Sequence, residues 1–89
     1  MSEQSKPNPT HRQVEVIAQV LDVRREQDEK HENENHCAAE WILIIEKQLN
    51  DAKIQWYKGN YQGTLREIAH IGACSVACLE QHNYDPEQA

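Results

Sequence analysis

The chain has no Phe, a single Met, and only two Trp and three Tyr among its 89 residues. Three Cys is an odd number without a close Cys-x-x-Cys pair, which argues against a disulfide framework and for a reducing, cytoplasmic setting. No apolar run approaches the ~18–20 residues that a membrane helix needs, and the N-terminal stretch is polar with no apolar leader. Cations are scarce as well. Nine Lys and Arg face fifteen acids, for a formal charge of −6, so a basic face for a nucleic-acid backbone is excluded. Gly59 and Gly63 lack the following Lys-Ser/Thr of a phosphate-binding loop, and no nucleophile elbow is present. No strand signal and no repeat period is visible.

What is there reads as helix. Residues 1–9 are polar and Pro-punctuated, and predict a disordered lead-in; residues 83–89 predict a flexible tail. Between them, 10–82 predict one helical domain. A capping box, Thr10 to Gln13, opens the first helix, whose stripes are Val14, Ile17, Leu21 and Val16, Val20, Val23. From Arg24 to Asn35 the apolar pattern stops, and a solvated helix of about two turns should loosen around Asn33 and Asn35. In the second helix Ala38, Ile42, Ile45, Leu49, Ala52 and Trp56 form a heptad-like seam, widened by Trp41, Leu43 and Ile44. Gly59 suits the left-handed position after that helix.

A second capping box, Thr64 to Glu67, predicts the start of the third helix, with Gly63 turning the chain into it. Leu65, Ile68, Gly72, Val76 and Leu79 line one face; Ile71, Cys74 and Cys78 line another. Ala69, Gly72, Ala73, Ser75 and Ala77 are all small, and a mid-helix Gly suits a site where a neighbouring helix comes close. A chain of this length buries only about 60–65% of its unfolded surface. The reading is an all-α protomer, a helical hairpin plus a leading helix. Its two-sided apolarity asks for a second copy, as a dimer or higher homo-oligomer.

Arg24-Arg25-Glu26-Gln27-Asp28-Glu29-Lys30-His31, Glu40-Trp41-Ile42-Leu43-Ile44-Ile45-Glu46, Leu65-Arg66-Glu67-Ile68-Ala69-His70-Ile71-Gly72-Ala73 and Ala77-Cys78-Leu79-Glu80 together resemble the MazG-like proteins. These form part of the all-α nucleoside triphosphate pyrophosphohydrolase superfamily, and the likeness is greatest to short members from phages and mobile elements. The resemblance covers about residues 14–82. It implies a helical, oligomeric protein that cleaves (d)NTPs to monophosphate and pyrophosphate with Mg²⁺. Relatives hold the metal by carboxylates in an E-E-x-x-E pattern on one helix and E-x-x-D on the next. Acids at such offsets share a helix face, and Mg²⁺ takes oxygen ligands.

Here Glu46 stands at the first acid, Lys47 at the second and Asn50 at the third, with Asp51 adjacent; Glu67 and His70 stand at the second pattern. The resemblance thus implies Glu46 and Glu67 as catalytic ligands of Mg²⁺, with Asp51 and His70 as substitutes. Two of five positions keep a carboxylate, so a second expectation stands beside the enzyme: an inactive helical oligomer that binds a nucleotide or a protein. Local readings compete at each residue. Glu67 also serves a capping box, Glu46 a solvated flank, and Trp41, Trp56, Tyr57 and Tyr61 packing as much as base stacking. Arg24, Arg25, Lys30, Lys47 and Tyr61 are the candidate nucleotide contacts. His70, Cys74 and Cys78 drift ~40° per four-residue step and converge poorly as zinc ligands, so small packing residues are the better reading.

Overall fold

The computed structural model describes residues 8–31 and 35–88, the side chain of His31 excepted. The predicted lead-in up to residue 7, the loop at Asn33 and the terminal Ala89 lie outside these. Three α-helices follow in order, α1 His11–His31, α2 Ala38–Tyr57 and α3 Tyr61–His82, then one 3-10 turn, Pro86–Gln88; no strand occurs among the described residues. The tail expected to fray from Asn83 therefore holds one short turn, in which the Glu87 N–H donates to Asp85 Oδ1 at 2.9 Å.

Helix α1 opens as its sequence predicts. The Gln13 N–H donates to Thr10 Oγ1 at 3.1 Å and the Thr10 N–H to Gln13 Oε1 at 2.8 Å, closing both halves of the box. The charged run stays helical to His31, with Arg25 paired to Asp22 and Arg24 to Asp28 at one-turn offsets. Helix α2 ends on Lys58, with Gly59 at φ +79°. The Asn60 N–H reaches Gln55 O and the Gly59 N–H reaches Trp56 O, each at 3.0 Å, so the helix closes in a Schellman motif.

Helix α3 is capped four residues earlier than the Thr64–Glu67 box predicts. Asn60 is the cap, its Oδ1 accepting from the Gly63 N–H at 2.8 Å. Thr64 Oγ1 donates to Asn60 O at 2.9 Å, a bond back to the preceding turn. Asn is the better cap residue, and with Asn60 capping one turn ahead, Thr64 lies inside the helix, where no orphan N–H groups are left for it to cap. At the other end Asn83 takes the left-handed conformation, φ 52°, and its N–H closes on Leu79 O.

Helix α3 is the central element. Both α1 and α2 pack on it, whereas α1 and α2 do not approach each other among the described residues. The small residues of α3 permit this: Ala73 and Ala77 are fully buried and Cys74 nearly so, and Trp41 of α2 packs with Cys74 and Ala77. Gly72 faces α1, where an added Cβ would stand 3.3 Å from Val20 Cγ1, so a side chain, not a backbone, makes the close approach.

The predicted seam of α2 divides. Ala52 is buried and Ile45 half-buried, but Ile42, Leu49 and Trp56 face outward, Ile42 65% and Trp56 60% exposed. The face that meets α3 carries Trp41, Ile44, Ile45 and Ala52. A stripe of small residues on α3 is best filled by the bulky Trp41 side, which turns the Ile42–Leu49–Trp56 line away. The same holds for the predicted α3 face at Leu65, Ile68 and Leu79, all exposed. Fifteen large apolar side chains are more than a third exposed, and Trp41 is the one large apolar side chain that is buried among the described residues.

Candidate functional site

Because α1 and α2 stand apart on α3, a cleft opens between them. Its larger cavity, about 290 Å³, lies just under the ~300–1,000 Å³ usual for small-molecule sites. Arg24, Gln27 and Asp28 form its α1 wall, Trp41, Ile44 and Gln48 its α2 wall, with Cys74 of α3 and His36 of the link completing it. A second cavity of about 200 Å³ is lined by Val23, Glu26, Gln27, Lys30, Gln48 and His70. Gln27 and Gln48 belong to both, so the two cavities adjoin at a pair of carboxamides.

Each wall is held in place by identifiable contacts. The link before α2 is tied to the end of α3: Gln81 Oε1 accepts from the Trp41 indole N–H at 2.9 Å and from the His36 N–H at 3.2 Å. His82 Nε2 meets His36 O at 2.8 Å, and the His36 ring stands edge-on to Trp41 with centroids 5.0 Å apart. The Glu40 carboxylate accepts from the Cys37 N–H at 2.9 Å, and chiefly that bond, with His36 nearby, holds its pKa below the ordinary carboxylate value.

Electrostatically the cleft is mixed. The Arg24 side chain is only 19% exposed; it pairs with Asp28, and its Nε lies 3.3 Å from Glu80 Oε1. The Cys74 thiol pKa is pushed up by burial, against the opposing effects of a 3.9 Å contact from Gln27 Nε2 and of the Arg24 charge. A thiol so placed stays protonated at neutral pH and is a packing group rather than a nucleophile. Gln48 Oε1 is buried without a hydrogen-bonding partner among the described residues.

Of the residues that the sequence singled out, Arg24, Lys30 and His70 line the cleft, as does Trp41. Glu46, Lys47, Asp51, Glu67 and Tyr61 line neither cavity, and Arg25 is an exposed partner of Asp22. Lys47 Nζ sits 3.1 Å from Asp51 Oδ2 and pairs with it. Glu46 is exposed and Glu67 half-buried. No three His, Cys, Asp or Glu side chains gather as a metal-binding group among the described residues. Glu46, Asp51, Glu67 and His70 are thus not gathered as such a group in the protomer. Glu26, Gln27, Asp28, Ile44 and Gln48 are cleft residues that sequence reasoning did not mark as site residues. Glu26 and Asp28 lie in a run that reads as solvated, the amides and Ile44 carry no chemical signature of their own, and all of them meet only because α1 and α2 both pack on α3.

No family model, curated protein or solved structure matches this chain.

Proposed function

We propose that the chain is a nucleotide-binding helical protomer that works as a homodimer or higher homo-oligomer and does not turn its ligand over. The observation that carries the reading is the cleft. A compartment with Trp41, Ile44 and Cys74 on its walls, and the Arg24–Asp28 pair and His36 at it, adjoins one lined by Lys30 and His70 alongside Glu26. A base suits the first and a phosphate the second, since aromatic and apolar walls take a ring and a local cation offsets phosphate charge in an acidic protein. The resemblance to MazG-like proteins points to the same class of ligand.

Loss of turnover follows from the carboxylates. Phosphoryl chemistry of the family's kind needs a hard cation held by converging oxygens, and here Asp51 is bound to Lys47 while Glu46, Asp51 and Glu67 all lie off the cleft. Self-association is read from the Ile42–Leu49–Trp56 line of α2 and from Val14, Ile17 and Leu21 of α1, large apolar side chains that stay exposed in the protomer.

The test is thermal denaturation of the full chain with a panel of nucleotides. A ligand that binds the folded state raises the midpoint, by about 2.7 kcal/mol of added stability at a hundredfold excess over its Kd. The exposed Lys30→Gln variant should fold as the parent does and show a reduced shift. Pyrophosphate release with Mg²⁺, abolished by Glu46→Gln, would establish the hydrolase instead; no shift with any nucleotide would remove the binding reading.

A further inference from the structure

Gln48 lies where the two cavities meet, and its Oε1 is buried with no donor among the described residues, although the rest of the residue is not fully enclosed. A buried acceptor left unpaired is disfavoured, and it is tolerated where another molecule brings the donor. The compartment beside it has Trp41 and Ile44 on one wall, with Arg24, Asp28 and His36 also at it, so a flat group with at least one N–H on its edge suits it. Gln27, across the same junction, presents a second carboxamide; its Nε2 makes only a long 3.9 Å contact to Cys74 Sγ and can donate to a ring nitrogen.

We propose that Gln48 is a specificity-determining residue that accepts a hydrogen bond from the exocyclic amino group of a nucleobase. The cleft thereby prefers adenine and cytosine nucleotides to their deaminated counterparts. The pairing has a chemical basis: an amino group beside a ring acceptor is the pattern that a carboxamide reads in adenine, one end accepting and the other donating. Hypoxanthine and uracil put a carbonyl oxygen where the amino group was, and two acceptors then face each other. A site with a buried polar group rejects the wrong partner more strongly than an apolar pocket does, because the group is left unpaired.

This assignment rests on the nucleotide reading above, and the experiment separates the two. Binding of AMP, IMP, CMP and UMP to the full-length protein is measured by calorimetry, which holds the phosphate constant while the base edge changes. AMP should bind at least about tenfold more tightly than IMP, and CMP than UMP. Gln48→Met keeps the side-chain volume and removes the amide. It should bring each ratio to within about twofold while leaving the unliganded protein no less resistant to heat, since a buried unpaired acceptor has gone. Gln48→Glu keeps an acceptor oxygen and should keep the preference.

Equal binding of all four nucleotides leaves the nucleotide reading standing and overturns the Gln48 assignment; so does a preference for IMP and UMP. A preference that persists in Gln48→Met overturns it also, as it would if a water molecule rather than the base satisfied Oε1. No binding by any of the four removes both proposals.

Discussion

The Trp41 indole N–H donates to Gln81 Oε1 at 2.9 Å, so one hydrogen bond joins the first turn of α2 to the last turn of α3. The same oxygen accepts from the His36 backbone N–H at 3.2 Å. A single side-chain atom therefore fixes both the one large buried aromatic and the link that closes the cleft. Gln81→Leu leaves two donors in need of a partner and should destabilise the fold by about 1–3 kcal/mol. Urea denaturation followed by Trp fluorescence measures it; an unchanged midpoint would mean that the tie does not hold the hairpin.

Acid should loosen the start of α2. The folded-state pKa of Glu40 is depressed, chiefly by the bond from the Cys37 N–H, so its contribution is present above the ordinary carboxylate range and is lost as pH falls through the lower folded value. Glu40→Gln keeps an oxygen for the Cys37 N–H but does not titrate. Its stability should vary less with pH over that acidic window than the parent's, as thermal midpoints taken from neutral pH downward will show.

The contact of α2 with α3 depends on small side chains. Ala77 is fully buried, and Ala77→Leu forces extra methylenes into a face already filled by Trp41, with an expected cost of about 1–3 kcal/mol or more. Ala69, half-buried outside that cluster, should accept Ser with far less effect. Paired denaturation curves compare the two sites.

Self-association should depend on the outward line of α2. Leu49→Glu, which puts a charge on that apolar line, should shift the sedimentation profile toward the protomer without lowering helical content. A parent protein that sediments as a stable protomer at every concentration would refute the assembly.

Helix positions were largely legible because their signals are local. The Thr10–Gln13 box, the left-handed Gly59 and the small-residue stripe of α3 each act within a few residues or on one face. The start of α3 was misread because Asn60 and Thr64 both suit a cap, and with Asn60 capping, Thr64 lies inside the helix. The outward turn of Ile42, Leu49 and Trp56 was not legible at all. Periodicity shows that a stripe exists, whereas its facing depends on what the neighbouring helix offers. The cleft was legible only in part: Arg24, Lys30 and His70 declare themselves by charge, but the convergence of Gln27 and Gln48 comes from the crossing of helices far apart in sequence.

The most direct test of the central claim is amide and indole chemical-shift mapping of the labelled protein on titration with AMP. Binding in the cleft predicts shifts concentrated at the Trp41 indole N–H, the Gln27 and Gln48 side-chain amides and the Cys74 backbone, with Tyr61 and Lys47 little changed. Shifts centred instead on Glu46, Asp51 and Glu67, or none at saturating nucleotide, would contradict the account.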